Sequence, residues 1–283
     1  MADPISAAPG AAETPIVALA GVGKTYSSGL VALANVSIAV RAREFVTLLG
    51  PSGCGKSTIL RLVAGLGTLS AGRIDWPSEA GDPAGLAARR KRRNIGFVFQ
   101  EPTLMPWATV RDNVYLPLRL AREPREAARA RVDEAIAQVG LDGFEDSYPR
   151  ELSGGMKMRV SIARALVTGP ELLLMDEPFA ALDEITRFRL NNDLLRLWQR
   201  RRLTVVFVTH SVYESVYLSE RILVMSGRPG RVVEEIKVPT PYPRDEVWRN
   251  SADYGALCAA TSAALARASA GSGQAERATR AAS

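Results

Sequence analysis

Four short, continuous apolar runs punctuate the chain: Phe45-Val46-Thr47-Leu48-Leu49, Ile95-Gly96-Phe97-Val98-Phe99, Leu172-Leu173-Leu174-Met175 and Leu203-Thr204-Val205-Val206-Phe207-Val208. Each has the length of a strand, and none alternates in the way a half-exposed strand would. The third, closing on Asp176-Glu177-Pro178, reads as a buried parallel strand, and the others are strand-like. Helical patterning lies between them. Ile59-Leu60-Arg61-Leu62-Val63 has apolar periodicity, the stretch from Lys157 to Val167 looks helical, and the Ala-, Arg- and Glu-rich run from Leu118 to Gln138 predicts two helices broken at Pro124.

The turn after the first run carries the most chemistry. Gly50-Pro51-Ser52-Gly53-Cys54-Gly55-Lys56-Ser57-Thr58 places glycines between a strand and a helix start, where backbone N–H groups and the helix dipole can hold an anion. G-x-x-x-x-G-K-[ST] in that setting is a phosphate loop, with Lys56 reaching the β- and γ-phosphates and Ser57 ligating Mg²⁺. Asp176 and Glu177, adjacent at a strand end, point to opposite sides and can divide the work. Asp176 would hold the Mg²⁺ shell, and Glu177 would polarise the attacking water. Ser153-Gly154-Gly155, opening a helix, predicts a second anion site.

Taken in order, Leu152-Ser153-Gly154-Gly155-Met156 and the two phosphate-site motifs resemble the nucleotide-binding subunit of an ATP-binding cassette (ABC) transporter. Met156 stands where that family's signature usually has glutamine, and Met158 also departs from the common pattern. The resemblance spans roughly residues 16 to 240. It implies an α/β P-loop NTPase fold, with a mixed sheet, an antiparallel β subdomain and an inserted helical subdomain at about 101–165. It also implies roles for single residues: Tyr26 stacking on adenine, Gln100 reaching Mg²⁺ and the attacking water, His210 sensing the γ-phosphate, and the loop ending in Asp183 crossing a dimer interface.

In such a family two copies, head to tail, enclose ATP between the phosphate loop of one and Ser153-Gly154-Gly155 of the other. The segment from Glu101 to Val114, mixing apolar residues with Pro102 and Pro106, would receive an integral membrane permease, and a substrate-binding protein would join indirectly. Pro106-Trp107, Met156, the stretch from Asp176 to Asp183, and Ser226-Gly227-Arg228-Pro229-Gly230-Arg231-Val232 resemble the nitrate, sulfonate and taurine importer group. The competing class is a soluble ABC ATPase acting on ribosomes or DNA. One phosphate loop and no sustained heptads count against it, and Ser153-Gly154-Gly155 counts against a P-loop kinase or a switch GTPase.

Composition changes this picture little. The 283 residues, 47% hydrophobic and 23% charged, suit one large core. Cys54 and Cys258, far apart, suggest neither a disulfide framework nor a metal site. No secretory signal opens the chain, and no uncharged apolar run reaches about 18 residues, so the expected place is the cytoplasmic face of the membrane, held there by a partner. The run Arg89-Arg90-Lys91-Arg92-Arg93 contributes to a net charge of +6. Without interleaved aromatics it reads as a solvated surface rather than a nucleic-acid site. Residues 1–14 and 262–283 read as flexible tails, 15–245 as the ATP-binding domain, and 246–261 as a helical extension.

Overall fold

The computed structural model describes residues 15–76 and 94–281, with side chains through residue 270; the Arg89–Arg93 run and the segment 1–14 lie outside the described residues. The continuous apolar runs become four strands of a six-stranded sheet. They are β3 (Phe45–Leu49), β5 (Ile95–Val98), β6 (Leu172–Asp176) and β7 (Thr204–Thr209). With β8 (Arg221–Met225) and β9 (Val232–Lys237) the order is β5-β6-β7-β3-β8-β9, parallel except for the antiparallel edge strand β9. Strands covered on both faces have no reason to alternate, and β3, β6, β7 and β8 are buried throughout.

A second sheet, ordered β2-β1-β4, is antiparallel and formed by β1 (Pro15–Thr25), β2 (Val31–Arg41) and β4 (Ala71–Asp75). It closes one apolar core over the main sheet together with α1 (Lys56–Val63): Val17, Val36, Val46, Leu48, Ile59 and Leu60 meet there. The opposite face of the main sheet buries Phe45, Leu49 and Phe207 against helices, with Trp198 edge-on to Phe45 at 5.8 Å. Successive residues of β3 thus feed different cores, as the pleat requires.

Between β5 and β6 lie α2 (Val110–Leu120), α3 (Arg125–Gln138), a 3₁₀ turn at Pro149–Glu151 and α4 (Gly154–Leu166). Pro124 N-caps α3, so the expected break stands at the proline, whereas Pro117 is accommodated inside α2. After β6 come α5 (Glu184–Arg201), then β7 and α6 (Val212–Leu218).

The C-terminal segment differs from expectation. Short α7 (Glu246–Arg249) is followed by α8 (Ala252–Ala281), so residues 262–281 are helical rather than a flexible tail. Tyr254, Cys258, Thr261, Ala264 and Ala268 are buried, with Leu257 and Leu265 packed beside them. Their spacing of three and four is a helical seam written mostly in small side chains, which carry little hydrophobic signal in sequence. Arg267 secures the far end through Glu234 at 2.9 Å.

Candidate functional site

The register of the main sheet assembles the site. Leu49 pairs with Thr209 and Asp176 with Val208, so the C-terminal ends of β3, β6 and β7 converge on one rim. From that rim the chain enters the phosphate loop, which only glycine can trace at three points. Gly53 and Gly55 have φ of 74° and 103°, and a Cβ on Gly50 would stand 2.9 Å from Cys54 Sγ and 3.1 Å from Met225 Cβ.

The loop delivers the chain into α1, whose N-cap is Gly55 with no side-chain cap. The first-turn N–H groups at Lys56, Ser57 and Thr58 therefore lack intrahelical acceptors and face the loop's concavity as an anion cradle. Several other helices are closed by a side chain, whereas α3, behind Pro124, is not. Thr109 caps α2 by accepting from Asp112 N, Ser153 caps α4 by accepting from Met156 N, and Asp183 caps α5 by accepting from Thr186 N.

Lys56, only 4% exposed, donates to the carbonyls of Gly50 at 2.8 Å and Pro51 at 3.0 Å. Its ammonium also lies 3.4 Å from Glu177 Oε1. The other carboxylate oxygen, Oε2, accepts from His210 Nδ1 at 2.9 Å. Glu177 adopts φ of 45°, a left-handed conformation unfavourable for a side chain of its size, and its N–H donates to Val208 O at 3.0 Å. Strain held at such a point aims the carboxylate across the mouth of the loop.

Ser57 Oγ donates to Asp176 Oδ1 at 2.7 Å. Burial pushes the Asp176 carboxyl above the usual range; the Ser57 hydrogen bond and the cations Arg61 and Lys56 act in the opposite sense. A hydroxyl and a buried carboxylate this close form a hard-oxygen pair, and a divalent cation there would supply the charge that burial denies the ionised acid. Gln100 is exposed just beyond β5, whose Val98 pairs with Met175, so the residue follows its strand at the same rim.

Tyr26 follows β1 as an exposed ring, its hydroxyl 3.2 Å from Thr58 Oγ1 and the Lys24 ammonium 5.3 Å from its centroid. Cys54 is buried within the loop, and burial raises its thiol pKa despite nearby Lys56.

Ser153, Gly154 and Gly155 are elsewhere. They pack on the loop that ends in Asp183: a Cβ on Gly155 would come 2.7 Å from Thr186 Cγ2, and one on Gly154 would touch Leu182 at 3.4 Å. Among the described residues no hydrogen bond or ion pair joins them to residues 50–58. Backbone and side-chain hydrogen bonds from Thr186 hold the Asp183 carboxyl below its usual range. Of the two methionines in the signature, Met158 is buried in the core and Met156 is partly buried against it.

Sequence reading missed Arg228. Its Nε donates to Gly53 O at 3.1 Å, and neighbouring Gly230 approaches Cys54 so closely that a Cβ there would stand 2.0 Å from Cys54 O. The stretch from Ser226 to Val232 had read only as a subgroup marker, yet it props the phosphate loop from below.

A phosphate loop on a parallel sheet, with a serine–aspartate pair and a strained glutamate at the strand ends, defines a P-loop nucleotide hydrolase. The model of the ABC transporter family matches residues 33–180. An ABC transporter ATP-binding protein of Methanocaldococcus jannaschii is 49% identical over 224 residues, covering 79% of this chain and 81% of the relative. The aliphatic sulfonates import ATP-binding protein of Bacillus licheniformis is 47% identical over 212 residues, covering 75% of this chain and 79% of that one. An ATP-binding cassette solved as a dimer in a post-hydrolysis state with ADP and Pi superposes with TM-score 0.66 at 36% identity, covering 80% of this chain and all of that one. This chain belongs to the ABC transporter family, and it is an ATP-binding, ATP-hydrolysing cassette.

Proposed function

We propose that the chain is the ATPase subunit of an ABC importer that works as a homodimer on the cytoplasmic face of a membrane, driving a permease for nitrate-, sulfonate- or taurine-like small solutes. The observation that carries this reading is the separation of two glycine-bearing helix starts, those of α1 and α4. The phosphate loop with Lys56 and Glu177 forms one site, while Ser153, Gly154 and Gly155 lie with Asp183 in another part of the fold. Neither encloses a nucleotide alone, and a second copy turned head to tail completes both. The cassette solved as a dimer with ADP and Pi and the sulfonate-import relatives support the assembly and the transport role.

In this reading Tyr26 stacks on adenine, and the residues from Gly50 to Thr58 wrap the phosphates. Ser57, Asp176 and Gln100 would hold Mg²⁺, which when bound would supply charge neutralisation for the phosphates. Lys56 shifts its ammonium from the Gly50 and Pro51 carbonyls to the β- and γ-oxygens, offsetting the charge that develops there. Glu177 polarises and orients the attacking water, and His210, bonded through Nδ1 to Glu177, senses the γ-phosphate.

The permease would dock on residues 101–114. Buried Asn113 binds the backbone of Met105, Ala108 and Thr109, and Arg164 binds the carbonyls of Pro102 and Thr103. Between these anchors Trp107 is held 76% exposed, an apolar knob on a rigid loop. No helix among the described residues is long and apolar enough to cross a membrane. Affinity purification of the tagged chain from host membranes tests the proposal. A co-purifying multi-span protein that raises ATPase activity supports it, and recovery of ribosomes or DNA in its place contradicts it.

A further inference from the structure

Glu214 is a buried acid that none of the steps above uses. It lies in α6, 6% exposed, and its Oε2 accepts from Thr209 Oγ1 at 2.5 Å. The same threonine oxygen accepts from Ser211 N at 3.0 Å. These bonds bracket His210, whose neighbours on either side are thereby tied to one carboxylate.

The other oxygen faces α5. Glu214 Oε1 stands 3.9 Å from Arg187 Nε, and neither atom has a hydrogen-bond partner although both are shielded from solvent. Arg187 Nη2 donates to Leu182 O at 2.9 Å, directly before Asp183. Asn191, one turn further along α5, presents its side chain to the same carboxylate. Burial raises the Glu214 pKa, opposed by Thr209, Arg187, His210 and Asn191.

A guanidinium Nε and a carboxylate oxygen both shielded from solvent normally close to a charge-assisted hydrogen bond, and this pair stops about 1 Å short. Leaving such atoms unpaired is unfavourable, so a small shift of α5 toward α6 has a ready stabilising contact to make. The loop of Ala181, Leu182 and Asp183 is the part of α5's start that the second subunit would press upon.

We propose that Arg187 and Glu214 form a latch: pressure from the partner subunit on the 181–183 loop draws Arg187 onto Glu214, which through Thr209 secures His210 in the position where it already bonds Glu177. This inference rests on the homodimer reading. Arg187 and Glu214 are positioning residues, touching neither nucleotide nor water.

The test compares Glu214→Gln, Arg187→Met and the double variant in the full chain. Glutamine keeps the shape and the Thr209 contact, so Tm should be unchanged or higher and ATP affinity of the single chain should stay within about twofold, while kcat falls about tenfold. Arg187→Met should lose a similar factor, and the double variant should lose no more than either single change. A wild-type kcat in Glu214→Gln would overturn the latch. So would losses that multiply in the double variant, or losses that merely follow a lowered Tm. Light scattering of Glu177→Gln with ATP and Mg²⁺ separates the two readings: if it dimerises, the latch is judged alone, and if it stays monomeric, both fall.

Discussion

Glu177 Oε2 accepts a 2.9 Å hydrogen bond from His210 Nδ1, joining the end of β6 to the end of β7 across the mouth of the phosphate loop. With Lys56 3.4 Å from its other oxygen, the Glu177 carboxylate is held on both sides. Its backbone, at φ of 45°, has little freedom to place it elsewhere.

Removing the imidazole should therefore hurt chemistry more than binding. His210→Ala is expected to lower kcat by about 10²-fold with ATP affinity nearly unchanged. Steady-state ATPase kinetics and nucleotide titration check this, and an unaltered kcat would remove His210 from the mechanism.

Asp176 gives a pH and stability prediction. Its pKa is raised by burial, so its neutral form favours folding; that contribution is full below the ordinary carboxylate range and is lost as pH rises through the folded value. Above that folded value the ionised, buried group is a net cost. Asp176→Asn should raise the Tm of the nucleotide-free chain by a few degrees and abolish the added stabilisation from Mg²⁺ with ATP. In the wild type, apparent Mg²⁺ affinity should fall on acidification beginning above the usual carboxylate range. Thermal scans with and without Mg²⁺ across pH read both effects.

Gly230→Ala forces a Cβ against Cys54 O and Met225 Cε, at 2.0 and 3.1 Å. The backbone beneath the phosphate loop must move, at a stability cost of about 1–3 kcal/mol. ATP affinity should fall with it, whereas Gly255→Ala, in α8 with open space around it, should leave affinity alone. Denaturant unfolding and nucleotide titration of the two variants decide the point.

Trp107→Ala removes an exposed knob and should leave Tm and the ATPase of the isolated chain unchanged. ATPase stimulation by the co-purified permease should drop at least about tenfold. Equal stimulation would place the docking surface elsewhere.

Much of this architecture was readable because parallel strands inside a fold write themselves as unbroken apolar runs: β3 and β5 lie within the runs noted in sequence, and β6 and β7 each extend one residue past theirs. The phosphate loop was readable because Gly53 and Gly55 occupy conformations other residues avoid. What escaped was written in other terms. The seam of α8 is made of Cys258, Thr261, Ala264 and Ala268, too small to register as hydrophobic. Arg228 and the Arg187–Glu214 pair escaped because their meaning lies in partners far along the chain, Gly53 in one case and a different helix in the other. Glu214 did carry a clue, the single charged residue within Val212–Leu218.

The homodimer can be tested with the Glu177→Gln variant, saturated with ATP and Mg²⁺ and measured by light scattering coupled to size exclusion. A mass near twice 30.5 kDa, returning to the single-chain value when Ser153→Arg is added or ATP is replaced by ADP, is the expected result. A 30.5 kDa particle under saturating ATP would contradict the shared nucleotide site.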